Sequence, residues 1–174
     1  MNPKTAQRLQ LAFQQMQTGD LETAATSCEQ ILRKSPEEPD ALHLMGLIRK
    51  QQGQNEAALK FLHSSIAAAP ERANFHANLG NLLSKLTRFD DAIAAYRRSL
   101  KRDPGFRPAR LGLVRALNSS GLYTDAEVEA TKLLALDVRD AEAQVALGLA
   151  LAGQGRSGEA EAAYREAIAI VPGY

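Results

Sequence analysis

Apolar residues return every three or four positions along most of this chain, and Asn74–Leu86 shows it plainly with Leu79, Leu82, Leu83 and Leu86 on one side. That spacing follows the 3.6-residue turn and predicts an amphipathic helix. Thr87-Arg88-Phe89-Asp90 reads as a short turn, and Asp90 or Asp91 is expected to cap the helix that follows, since a side-chain oxygen can accept a first-turn N–H. Ala92, Ile93, Ala95, Tyr96 and Leu100 give this second helix its apolar side. Pro104 cannot continue it and is expected to end it near Arg102.

The two-helix pattern repeats at an interval of 34 residues. Pro36, Pro70, Pro104 and Pro172 keep that interval or a multiple of it, with Val138 in the remaining slot. Ala24, Ala58, Ala92, Ala126 and Ala160 keep it without exception. Further columns read Leu11, Met45, Leu79, Leu113, Leu147 and Ala12, Gly46, Gly80, Val114, Gly148. Small residues in fixed positions let paired helices approach closely, so Ala92→Leu should overpack its pair by about 1–3 kcal/mol. Gly19, Gly53, Gly121 and Gly155, with Thr87 departing, suit a left-handed position that ends each first helix. Five units follow: Thr5–Glu38, Pro39–Arg72, Ala73–Phe106, Arg107–Asp140 and Ala141–Tyr174.

A 34-residue helix–turn–helix unit with a Leu-Gly pair, a mid-unit Ala, an aromatic and a closing Pro resembles the tetratricopeptide repeat. Leu79-Gly80, Ala92, Tyr96 and Pro104 carry the likeness, as do Leu147-Gly148, Ala160, Tyr164 and Pro172. Units one and four depart from it, with Ala12 and Val114 at the Gly position, Cys28 and Ala130 at the aromatic and Val138 at the Pro. The resemblance implies an all-α fold, an α-solenoid wound as a right-handed superhelix of five helix–turn–helix units. It also implies that the first helix of each unit lines a concave groove that takes an extended peptide or a partner helix.

Composition narrows the chemistry. The net charge of +1 does not favour nucleic acid or a membrane surface as partner, and no apolar run approaches membrane-spanning length. Lys and Arg minus Asp and Glu gives −2, +1, +3, 0 and −2 along the five units. Cys28 stands alone in a core column, which excludes a disulfide framework and suits a buried thiol. With no leader pattern at the N-terminus, a cytoplasmic location is the expectation.

Gly153-Gln154-Gly155-Arg156-Ser157-Gly158 spells a dinucleotide fingerprint, but that signal needs a preceding strand, and Ala141–Ala152 is in helix register. It reads as a loop. His43, His63 and His76 show no metal-ligand spacing, and no nucleophile, base and orienting group can be assembled. No catalytic residue, cofactor or metal is expected. Phe61, Phe89, Tyr96, Tyr123 and Tyr164 read as packing residues.

The candidate ligand residues are first-helix positions left over from packing. Asn74, Asn78 and Asn81 share one helix face, and carboxamides offer the donors and acceptor that an extended peptide backbone needs. This stripe is similar to the asparagine ladder of O-linked N-acetylglucosamine transferase repeats, although Leu44, Gly112 and Ala146 stand at the matching sites. His43 and Lys50 flank it on one side and Arg115 and Asn118 on the other. Lys50, Lys85 and Arg115 would form a cationic rim favouring acidic segments. The carboxylate clamp of heat-shock co-chaperones is not matched, because Leu9, His43 and Ala77 occupy its lysine position.

Leu9, Phe13 and Met16 in unit one and Val145 and Leu149 in unit five give the outer units apolar first-helix faces. Arg97, Arg98, Lys101 and Arg102 read as a solvated basic face on a second helix. Ala160, Ala163, Tyr164, Ala167, Ile168 and Ile170 are expected to leave an apolar side uncovered at the end. That points to a fragment of a longer chain or to self-association through uncapped ends. The expected function is a non-catalytic protein–protein interaction scaffold. The alternative is the recruiting or dimerising arm of a sulfo-, glycosyl- or methyltransferase, which such bacterial repeat regions often precede.

Overall fold

The computed structural model describes residues 3–172, so the expected chain end at Tyr174 lies outside the described residues. Among them the chain is all-α, with ten helices: α1 (Pro3–Gln17), α2 (Leu21–Leu32), α3 (Pro39–Gln51), α4 (Asn55–Ala68), α5 (Ala73–Lys85), α6 (Phe89–Arg102), α7 (Arg107–Ser119), α8 (Tyr123–Leu136), α9 (Ala141–Gly153) and α10 (Ser157–Ile170). Two compact units divide within α5, Met1–Leu82 and Leu83–Tyr174.

In the first unit α1 packs on α2 and α3, and α3 on α4. Its core joins Leu9, Ala12 and Met16 of α1, Ala24, Cys28 and Ile31 of α2, and Met45 and Ile48 of α3. Burial and the neighbouring Glu29 push the Cys28 thiol up to about 12, so it stays protonated and inert. In the second unit α7 contacts α6, α8 and α9, while α9 contacts α8 and α10. From α1 to α4 and from α6 to α10, each helix thus touches its neighbours in sequence, as a repeat array requires.

Every first helix ends by one device. Gly19, Gly53, Gly121 and Gly155 have φ of 85°, 75°, 74° and 77°, and Thr87 has φ 58°. At each, the residue's own N–H bonds back three residues and the next N–H bonds back five, as in Thr87 to Ser84 (3.0 Å) and Arg88 to Leu83 (3.0 Å). Paired bonds of this kind satisfy the last helical carbonyls and demand a left-handed residue. Repeat register therefore imposes on Thr87 a conformation that glycine adopts freely.

Register also corrects the expected cap. Asp90 and Asp91 do not cap α6, because the helix already begins at Phe89 with Arg88 as N-cap, and no side chain caps it. Arg88 instead donates to Asp91 at 2.9 and 2.7 Å. The matching position in the first unit is Asp20, whose carboxylate accepts from Thr23 N at 3.3 Å.

The apolar side expected of α10 is smaller than the sequence suggests. Ala160, Ala163 and Ala167 are buried, Tyr164 is half-buried, and Ile168 is the large apolar residue left 53% exposed. Ala160 and Ala163 face α9, where Leu147 and Leu151 pack against them.

Candidate functional site

The expected ligand residues divide between the two units. His43, Lys50, Asn74, Asn78 and Asn81 belong to the first, and Lys85, Arg115 and Asn118 to the second.

In the first unit the residues form a bonded chain. The His43 ring is buried and stacks on Phe75, with centroids 4.2 Å apart and planes 17° apart. The Arg72 guanidinium lies 4.8 Å from the Phe75 centroid and pairs with Asp40 at 3.0 Å. Asn78 Nδ2 donates to His43 Nε2 at 2.9 Å, and Asn81 Nδ2 to Asn78 Oδ1 at 3.5 Å. Burial lowers the His43 pKa to about 4, outweighing the attraction of Asp40, and Arg72 lowers it further. The ring is therefore neutral near pH 7, with its proton on Nδ1 and Nε2 free to accept from Asn78.

The members of the stripe differ in burial. Asn78 is tied to its neighbours on both sides, whereas Asn81 is exposed and Asn74 half-buried. Asn74 lines a cavity of about 360 Å3 together with Leu9, Gln10, Phe13, Asp40, His43, Leu44 and Leu47. The cavity thus runs across α1, α3 and α5. Phe13 is 45% exposed, while Leu9 and Leu44 are buried. Lys50 is half-buried in the last turn of α3.

The second-unit residues meet other partners. Arg115 donates to Glu142 at 2.9 Å, and Glu142 also accepts from Arg107 at 2.9 Å. Hydrogen bonds from Arg107, and then from Arg115, hold Glu142 below its ordinary pKa. Asn118 Nδ2 donates to the Ala146 carbonyl at 2.9 Å, tying α7 to α9. Lys85 is exposed at the end of α5. Gly112, which interrupts the asparagine stripe, faces the Tyr96 ring; a Cβ there would fall 2.5 Å from Tyr96 Cε1.

The remaining candidates are structural. His76 Nε2 donates to the Pro70 carbonyl at 2.9 Å, and His63 is exposed. Gly153 lies in α9 against the Tyr123 ring, which an added Cβ would overlap, and Gly155 carries the left-handed turn. Among the described residues no group of three His, Cys, Asp or Glu could hold a metal ion, and no helix is long and apolar enough to cross a membrane. Sequence reasoning missed Phe75, Asp40 and Arg72. Their signal is a separation of 32 to 35 residues, one unit plus or minus a step, which places side chains of adjacent units in contact.

Comparison with known proteins agrees with this architecture. Family models described as tetratricopeptide repeat match residues 77–135, 119–174 and 15–86. The cytochrome c-type biogenesis protein CycH of Bradyrhizobium diazoefficiens is 36% identical over 98 residues, 54% of this chain. The match spans 26% of that relative's length. PilW, a widely conserved type IV pilus biogenesis factor, superimposes with a TM-score of 0.88 at 22% identity, covering 100% of this chain and 80% of PilW. YrrB, described as a TPR protein with an unusual peptide-binding site, gives 0.83 at 19% identity, covering 96% and 86%. At such identities the superpositions speak for the fold alone. The chain belongs to the tetratricopeptide repeat family, whose helix pairs serve as scaffolds for protein–protein interaction.

Proposed function

We propose that the face built by α1, α3 and α5 binds an extended peptide segment of a partner protein, with one apolar side chain entering the cavity. The observation that carries this reading is the cavity itself. Its wall of Leu9, Phe13, Leu44 and Leu47 offers an apolar contact, while Asn74 and Gln10 stand at the same opening to meet backbone N–H and C=O groups. Asn81 extends the polar edge, and the neutral His43 holds Asn78 in place behind it. The description of YrrB as a TPR protein with a peptide-binding site supports the same use of the fold.

Of the expected cationic rim, Arg115 is already matched by Glu142. The apolar anchor is the stronger determinant, because its burial supplies about 25 cal/mol per Å2 whereas exposed ion pairs supply little.

A peptide-library screen on the wild type and on Phe13→Ala/Asn74→Ala tests the reading. Peptides carrying an apolar anchor should bind the double variant about tenfold or more weakly, from lost apolar contact and one lost hydrogen bond. If every peptide recovered binds both proteins equally, this face is not the site.

A further inference from the structure

A second cavity, of about 460 Å3, lies on the other helices of the second unit, between α6 and α8 and above α7. Leu113 and Leu117 of α7 form its buried floor, with Leu100 of α6 half-buried beside them. Val128 of α8 reaches the same opening and is 50% exposed. Arg97 and Lys101 line one edge, and Asp125 and Glu129 the other.

The charges on the two edges are unequally matched. Glu129 is held by Arg110 and by Lys132, the latter at 2.7 Å, so its carboxylate is satisfied. Although burial opposes it, hydrogen bonds from Lys132 and Arg110 keep the Glu129 pKa below its ordinary value. Asp125 pairs with Arg97 at 3.4 Å. Lys101 has no ion pair among the described residues, and neither has the exposed Arg98 on the outer side of the same helix. Both acids have partners, so the unmet charge at this opening is positive.

We propose that the α6–α8 groove docks a short acidic segment of a partner protein, placing a large apolar side chain over Leu113, Leu117 and Val128 and an adjacent carboxylate against Lys101. The occupant is set by charge complementarity together with the apolar floor. The groove is built by helices other than those of the peptide face proposed above, so the two sites stand or fall separately.

The test is a random peptide library selected on the intact chain, followed by calorimetric affinities for Val128→Glu, Lys101→Glu and Phe13→Ala. All three positions are exposed, and thermal melts verify that the variants fold. The expected result is enrichment of peptides with an apolar residue beside Asp or Glu. These should lose about tenfold in affinity on Val128→Glu and on Lys101→Glu, keep it on Phe13→Ala, and weaken with salt. A poly-glutamate peptide serves as a charge-only probe and should bind far more weakly. The proposal is overturned if no such peptides are enriched, or if they bind the two groove variants as the wild type does. It is equally overturned if poly-glutamate binds as tightly as the selected peptides.

Discussion

The Cβ that an alanine at Gly148 would add falls 2.5 Å from Cε1 of Tyr164. Gly46 meets Leu62 in the same way, at 2.8 Å from Cγ. At the same two positions the fourth unit carries Val114 with Ala130 and the first carries Ala12 with Cys28, all fully buried. Bulk therefore shifts from one helix of the pair to the other while the space between them stays filled, as close packing demands. Gly148→Ala should cost about 1–3 kcal/mol by overpacking. Adding Tyr164→Ala should make the double variant less destabilised than the sum of the two single changes, as chemical denaturation would show. Additivity within about 0.5 kcal/mol would mean that the two residues do not share this space.

Thr87 supplies a prediction of opposite sign. Its φ of 58° is costly for a β-branched residue, by about 1–2 kcal/mol, whereas glycine occupies that region freely. Glycine's greater freedom in the unfolded chain takes back part of the gain. Thr87→Gly should therefore stabilise the protein by about 0.5–1 kcal/mol in denaturant unfolding, and Gly121→Thr, the reverse change one unit later, should destabilise it. A loss of stability in Thr87→Gly would contradict the assigned strain.

How legible this was in the sequence depends on what the 34-residue columns can express. They convey which helices pair and where each first helix must turn, because those features recur in register. Read one column at a time, they hide the exchange of bulk between Gly148 and Tyr164, which appears only when two columns are compared. They also hide partners one unit plus or minus a few residues apart, such as Asn78 with His43 and Asn118 with Ala146. The asparagine stripe is visible as a face, yet nothing in its spacing tells that Asn78 is bonded to His43 or that Asn81 is bonded in turn to Asn78. Gly112 interrupts the stripe for a steric reason, the Tyr96 ring, that is set by the preceding helix.

Arg107 joins the fourth and fifth units. It donates to Asp140 at 2.7 Å from Nε and again at 2.7 Å from a terminal nitrogen, and Asp140 also caps α9 through Ala143 N at 3.1 Å. The Asp140 side chain is only 4% exposed, while that of Arg107 is 46% exposed. Breaking a buried pair costs about 3–5 kcal/mol, and solvent around Arg107 together with the remaining cap reduces this. Arg107→Ala should cost about 1–2 kcal/mol. Arg107 holds the Asp140 pKa below its ordinary value, so this stability exists above that value and is lost as pH falls through the lowered one. Wild type and variant should converge in stability in acid, and an undiminished gap there would rule out the ionic origin.

His43 gives a pH dependence in a different window. Its pKa falls from 6.5 in the unfolded chain to about 4 in the fold, chiefly through burial. Between these values the unfolded state binds the extra proton, so stability rises with pH across the window and is fully present above it. The difference amounts to roughly 3 kcal/mol by the conversion of about 1.4 kcal/mol per pKa unit. His43→Leu removes the titrating group and leaves Asn78 Nδ2 without its acceptor, so the variant should be less stable at pH 7. Its stability should nevertheless fall less than that of the wild type between pH 7 and pH 4.5, because only the wild type has to keep an imidazole unprotonated. Denaturant titrations of both proteins at the two pH values measure this directly, and equal losses would show that His43 titrates in the fold as it does in the unfolded chain.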